Sequence, residues 1–259
     1  MEDRVSAPLS AIVISFNEGR RIAACLESLA FADEIVVVDS GSTDDTVAIA
    51  RKYTENVCHV PWKGFGPQKR AAVERASHDF ILCVDCDERV TPELSREIRS
   101  ILGEGAPRAG YSVPRRTFLG GREIRHCGWY PDRTVRMFDR RRARFSEDLV
   151  HERVIVSGEV GELRNHLLHY SFDGMADLLT KMNRYSDLAS RQMHARGLTS
   201  TLPDLVLRPA FAFLKTYVMK LGFLDGFEGF AVSVSAGFST FVKYAKLREI
   251  ARAGRRERR

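Results

Sequence analysis

Short apolar runs alternate with amphipathic stretches over the first hundred residues. Leu9–Ser15, Glu34–Asp39, 57–60 and 80–85 are apolar or β-branched runs of strand length. Between them, a stretch from about Glu18 places Ile22, Leu26 and Leu29 on one helical face, and a second does the same with Val47, Ala50 and Tyr53. Residues 68–76 read as a third helix. Strand alternating with helix predicts a doubly wound α/β fold with a mostly parallel sheet. Ser42 is placed to cap the second helix, with Asp45 reaching back. Thr91-Pro92-Glu93 opens another helix, proline at its first position, with Leu94, Ile98 and Ile101 inward. From Tyr111 to Tyr170 the segments are short and alternating, and 134–138 and 153–156 read as antiparallel strands of a mixed sheet. Residues 173–197 form an amphipathic helix whose expected inner face is Met175, Leu178, Met182, Tyr185, Leu188 and Ala189, with Gly197 as its stop. The last apolar region, 202–244, has a longest uncharged stretch of fourteen residues, 229–242. A membrane span needs about twenty. The expected organisation is therefore a domain over 1–198, divided at 102/103, a helical appendage over 199–247 and a tail over 248–259.

The run at 80–84 ends in Asp85, Asp87 and Glu88. In open α/β sheets the carboxyl ends of the strands are where ligands bind. Two Asp one residue apart suit a hard divalent cation, Mg²⁺ or Mn²⁺, that also takes substrate phosphate oxygens. Asp39 ends the second strand in the same way, and both ends project from one edge of a parallel sheet. No Gly-x-Gly-x-x-Gly and no P-loop lysine motif follows the first strand, so a metal held by Asp85 and Asp87 is the expected way to neutralise a diphosphate.

Charge and cysteine content narrow the class further. The net charge is +6 over 259 residues. All of it resides in 243–259, where eight basic residues meet two acidic ones. A neutral body argues against a nucleic-acid-binding face and for a local attraction to an anionic membrane surface. The competing role for the helical appendage is a homo-oligomer contact. Five cysteines, odd in number and scattered, fit a reducing compartment, and Cys83-x-x-Cys86 has neither the helix start of a redox pair nor the second pair of a zinc site. Residues 1–10 have no basic region followed by an apolar core, so no signal peptide is expected.

Three ordered motifs resemble one family. Ala11-Ile12-Val13-Ile14-Ser15-Phe16-Asn17-Glu18, Val37-Val38-Asp39-Ser40-Gly41-Ser42-Thr43-Asp44-Asp45-Thr46 and Val84-Asp85-Cys86-Asp87-Glu88 are similar to the inverting family 2 glycosyltransferases of GT-A fold. Gly128-Trp129-Tyr130-Pro131, Val150-His151-Glu152, His169-Tyr170-Ser171-Phe172 and Gly222-Phe223-Leu224-Asp225-Gly226 resemble the bacterial subgroup that includes lipopolysaccharide-core β-glucosyltransferases. The likeness extends to about Leu247. Cys86 departs from the small residue usual between the two acids, at a position expected to point away from the metal.

The resemblance implies a metal-dependent inverting hexosyltransferase, with glucose as the sugar and UDP as the carrier. It implies a lipid-linked glycan acceptor and a cytoplasmic site on the inner face of the bacterial inner membrane. Ser15, Asn17 and Glu18 would line the nucleotide pocket, and Asp39 would contact base or ribose. Asp85, Asp87 and His169 would serve the metal and diphosphate, and Arg136 would offset diphosphate charge. Trp129 would stack on an acceptor sugar. The general base would be Asp148 or Glu152, beside His151. The alternatives are a polyprenyl-phosphate acceptor, a nucleotidyltransferase, and a non-catalytic nucleotide-sugar-binding module.

Overall fold

A computed structural model describes residues 6–146 and 152–256. They form two compact units, Met1–Arg115 with Asp132–His169, and Arg116–Pro131 with Tyr170–Arg259.

The first unit begins with the expected alternation: β1 (Leu9–Ser15), α1 (Ile22–Ser28), β2 (Glu34–Asp39), α2 (Thr46–Ala50), β3 (Val57–His59), α3 (Phe65–Arg75) and β4 (Phe80–Cys83). β5 (Glu88–Val90) and α4 (Pro92–Gly103) follow, then β6 (Gly110–Leu119), β7 (Arg122–Ile124), β8 (Asp132–Asp139), β9 (Ala143–Phe145), β10 (Val154–Val156), β11 (Val160–Glu162) and β12 (Leu167–Phe172). The sheet order is β3-β2-β1-β4-β8-β6-β12-β5. The first four strands are parallel, and β8 runs antiparallel to β4. Both faces of the sheet are covered, which is why these strands read as continuous apolar runs. On β1, Leu9, Ala11 and Val13 face one core with Leu26, Leu94 and Ile98. Ile12 faces the other, with Val36, Val38, Ile81, Phe138, Ala72 of α3 and Ala76 just after it. α4 starts as its sequence specifies: the Leu94 N–H donates to Thr91 Oγ1 (3.2 Å), and Pro92 occupies the first turn.

Several expectations are corrected in this unit. α1 begins at Ile22, after a turn in which the Arg21 and Ile22 N–H groups donate to the Glu18 carbonyl, both at 2.9 Å. Ser42 does not cap α2; its hydroxyl donates to Asp39 Oδ1 (2.5 Å), and Asp44 accepts the Thr46 N–H instead (3.0 Å). The strand at 154–156 does not join the mixed sheet. It pairs with β9 in a separate two-stranded sheet whose Phe145 ring packs edge-on against Phe138 at 5.7 Å.

This path of strands ends in three-residue strands, β3 and β5, while the short strands β7 and β11 pair with β6 off the path. Where β3 gives out beside β2, Thr54 Oγ1 donates to the Ile35 carbonyl at 2.7 Å.

The second unit holds the β6–β7 hairpin end, α5 (Met175–Ala195), α6 (Leu202–Leu214) and α7 (Gly226–Arg256). α5 matches its predicted span to within two residues, but its buried line is Leu178, Ser186 and Ser190, while Met175, Tyr185 and Leu188 are exposed. The serines let α7 approach, and Lys246 Nζ donates to the Asn183 carbonyl (2.9 Å) and Ser186 Oγ (3.1 Å). α6 starts on a capping box between Thr201 and Asp204. It lies antiparallel to α7: the Phe213 ring meets Phe230 at 6.1 Å, and Gly237 packs against the Pro209 carbonyl. A π-turn (Lys215–Met219) and a 3₁₀ turn (Gly222–Asp225) join the two helices. No helix among the described residues is long and apolar enough to cross a membrane.

Candidate functional site

The parallel register sets Ser15 beside Asp39 at the carboxyl ends of β1 and β2. Asp39 is buried and saturated. Its Oδ1 accepts from Ser15 Oγ (2.9 Å) and Ser42 Oγ (2.5 Å), and its Oδ2 accepts the Gly41 and Ser42 N–H groups, both at 2.8 Å. Burial alone would raise its pKa, but these donors, led by Ser42, more than offset that and lower it. Asp39 therefore organises the 40–44 turn, accepting all four of these hydrogen bonds. Asn17 braces the same turn. It takes a left-handed backbone (φ 55°), its N–H donates to Ser42 Oγ (2.8 Å), and its Oδ1 accepts the Thr43 N–H (2.8 Å). Asparagine tolerates that conformation better than most residues. Ser15, Asn17, Glu18 and Asp39 thus assemble around one turn.

At the end of β4 the two aspartates have different surroundings. Asp85 Oδ1 lies 3.0 Å from Lys69 Nζ and its Oδ2 lies 2.7 Å from Arg136 Nη2, although 30% of the side chain stays exposed. Burial would raise the Asp85 pKa; Arg136 and then Lys69 overcome it and hold the carboxyl well below the usual range. Arg136 also reaches Glu88 Oε1 at 2.5 Å, and Arg115 reaches the same oxygen at 3.2 Å. Glu88 is fully buried, and its Oε2 accepts the Asp85 N–H (3.0 Å). Arg136 thus lies buried beside the motif, paired to Asp85 and Glu88, because β8 runs next to β4. Asp87 Oδ2 lies 3.5 Å from His169 Nε2. β12 pairs with β5 so that His169 sits opposite Glu88, which brings the imidazole there.

Cys86 points inward as expected, its thiol against the Ile14 carbonyl at 3.3 Å. All five cysteines are free; four are buried and Cys58 is half-buried. Burial pushes the Cys83 thiol up to about 11 and Cys86 well above its ordinary value. A thiol reagent is therefore expected to modify Cys58 first in the native protein and all five only on unfolding. Fast native reaction at Cys83 or Cys86, mapped by mass spectrometry, would contradict this burial.

Asp148 and His151 lie outside the described residues. Both flanks of their segment are held by adjacent residues of α3: Arg70 Nη1 donates to the Ser146 carbonyl (2.9 Å) and Lys69 Nζ to Glu152 Oε1 (2.9 Å). Lys69 bridges Asp85 and Glu152 from a buried position. Lys69, Glu88 and Arg115 had no role in the sequence expectations. The signal for Lys69 was its spacing: it stands three and seven residues before Ala72 and Ala76, on the face of α3 that packs on the sheet.

Among the described residues no three His, Cys, Asp or Glu side chains cluster as a complete metal cage. Asp87 and His169 form a two-donor set. That set fits a divalent cation completed by diphosphate oxygens and water, as Mg²⁺ sites commonly are.

Residues 10–154 match the family model for glycosyl transferase family 2. The chain is 31% identical over 252 residues to lipopolysaccharide core biosynthesis glycosyltransferase LpsC of Rhizobium meliloti (strain 1021), covering 93% of this chain and 92% of that protein. An uncharacterized glycosyltransferase of Rickettsia felis is 30% identical, with 93% and 89% covered. Among solved structures, S. aureus TarS 1–349 aligns over 95% of this chain and 92% of that chain, with a TM-score of 0.47 and 17% identity.

Proposed function

The chain belongs to glycosyl transferase family 2, and from that premise we propose that it moves glucose from UDP-glucose to a lipid-linked glycan of the lipopolysaccharide inner-core type, with inversion. The observation that carries this reading is the division of labour after β4. Asp85 is fixed by Lys69 and Arg136, while Asp87 has the imidazole of His169 3.5 Å away. Similarity to a protein named for lipopolysaccharide core biosynthesis supports the acceptor class.

In this reading Asp87 and His169 hold the divalent cation, so the direct metal role expected of Asp85 passes to them. The cation, when bound, supplies positive charge to the departing diphosphate. The turn braced by Asp39 and Asn17 receives the nucleotide. The acceptor hydroxyl oxygen attacks the anomeric carbon as the bond to the diphosphate oxygen breaks. One displacement inverts the configuration, and the hydroxyl proton passes to a carboxylate. Asp148 is assigned that proton. Glu152 Oε1 is engaged by Lys69, which makes Glu152 the anchor of the segment that carries Asp148.

Asp148→Asn is expected to lower glycosyl transfer by about 10²- to 10⁴-fold, the usual contribution of a general base, with UDP affinity unchanged. Glu152→Gln keeps most of the rate. The assay is transfer from labelled UDP-glucose to rough lipopolysaccharide, with the product anomer assigned by NMR. An α-linked product, or an Asp148→Asn enzyme as fast as the wild type, would defeat the assignment.

A further inference from the structure

We propose that the turn joining α6 and α7 is a wedge that seats in the headgroup layer of an anionic bilayer, and that it holds the acceptor-side loop 125–129 from within the same unit. The second half rests on the glycosyl-transfer reading, whereas the vesicle binding does not.

Most of the exposed large hydrophobic side chains among the described residues lie between Leu198 and Phe241. On α6 and the π-turn, Leu207, Phe211, Leu214 and Val218 recur at four, three and four residues. On α7, Phe227, Phe230, Val234, Phe238 and Phe241 recur at three, four, four and three. Each series is one stripe of a helix, and each faces out rather than into a core. Between the stripes the turn itself is apolar and open: Met219 is 68% exposed, Leu224 56% and Phe227 72%. Stable monomers seldom leave so continuous an apolar surface to water.

Charge selects the occupant. Around the turn, Lys215 and Lys220 are exposed cations while Arg208 pairs with Asp204, and 243–259, toward the far end of α7, carry eight basic residues against two acidic ones. Apolar side chains interleaved with basic ones match an anionic lipid interface, where rings enter the acyl boundary and ammonium groups meet phosphates. A second copy would bring the same lysines toward one another, which disfavours it.

The wedge is built into its unit rather than hung from it. Asp225 is buried and its Oδ2 accepts the His126 N–H (2.7 Å), while its Oδ1 accepts the Arg125 N–H (3.3 Å) and lies 2.9 Å from His126 Nδ1. The Cys127 N–H donates to the Lys220 carbonyl at 3.0 Å. The Lys220 side chain crosses over Gly128, whose φ of 76° favours glycine. Trp129, the residue expected to stack on an acceptor sugar, follows directly and packs on Phe172 at 5.4 Å. Two sequence motifs about a hundred residues apart therefore form one structure: an apolar tip for lipid and a loop for the sugar that lipid carries.

The test is co-sedimentation of the full chain with phosphatidylcholine vesicles, with and without phosphatidylglycerol, at low and high salt. The wild type is expected to bind the anionic vesicles and to bind less at high salt. Leu224→Asp/Phe227→Asp is expected to lower the partition by at least about tenfold, since two apolar groups are replaced by charges. Met219→Asp serves as an independent second variant. UDP-glucose hydrolysis, which reads the donor site alone, stays at the wild-type level and certifies folding. Equal partition of wild type and variants overturns the proposal. So does a wild type that ignores anionic vesicles while the variants shift from dimer to monomer in light scattering, which would assign the face to a second copy.

Discussion

Asp87→Ala is expected to abolish metal-dependent UDP binding and to slow glycosyl transfer by about 10³-fold or more. In the proposed site the carboxylate is one of two protein donors, with His169 Nε2 3.5 Å away, and no larger donor cluster exists among the described residues. Removing one of two leaves a lone imidazole, which holds Mg²⁺ or Mn²⁺ weakly because these hard cations favour oxygen. A metal that polarises a leaving group contributes several kcal/mol to the barrier, and each 1.36 kcal/mol is tenfold in rate. Stability should change little, since Asp87 lies at the end of the sheet and outside its core. Isothermal calorimetry of UDP with and without Mn²⁺, on wild type and variant, separates the outcomes. UDP binding that ignores both metal and Asp87 would make the donor mechanism untenable.

Lys69→Met is the substitution with the largest expected cost to the fold. The ammonium is buried and serves two carboxylates, Asp85 at 3.0 Å and Glu152 at 2.9 Å. Burial works against its charge, yet the neighbouring carboxylates, Asp85 foremost, raise its pKa overall. Breaking a buried pair by deleting one member costs about 3–5 kcal/mol, because an uncompensated charge remains. The lower end applies here: Arg136 still serves Asp85, and part of that side chain reaches water. A loss of about 3 kcal/mol would shift the urea midpoint by roughly 1–3 M at the slopes usual for small proteins. Lys69→Arg, which keeps the charge, should recover part of the loss. Transfer should fall in Lys69→Met beyond what stability explains, since the flank of the 147–151 segment at Glu152 loses its anchor. An unchanged midpoint would show that the bridge contributes nothing.

The sheet was legible in the sequence because β1, β2 and β4 are buried on both faces, which leaves a continuous apolar run and an abrupt acidic end. α4 was legible because Thr91 and Pro92 act locally. What could not be read depends on partners far along the chain. Ser42 looks like a helix cap until Asp39 claims its hydroxyl. Lys69 looks like a solvated helix residue until Asp85, 16 positions on, and Glu152, 83 positions on, are brought to it. The apolar stripe of α5 obeyed the helical period, yet a serine line became the buried one, because close approach of α7 selects small residues. The pairing of Asp85 was hidden for the same reason: Lys69 and Arg136, 16 and 51 positions away, reach its two oxygens.

The three-residue strands at the two margins of the sheet limit how copies of this protein can meet. A long margin with open N–H and C=O groups invites a neighbour's backbone to add a strand, and from there a fibre can grow. Here β3 and β5 offer only three residues each, and beside β3 the Thr54 hydroxyl already occupies the Ile35 carbonyl. Backbone templating at these two margins therefore has little length to work with. Contacts between copies at these margins would depend on side chains and answer to surface substitutions rather than to changes in strand register.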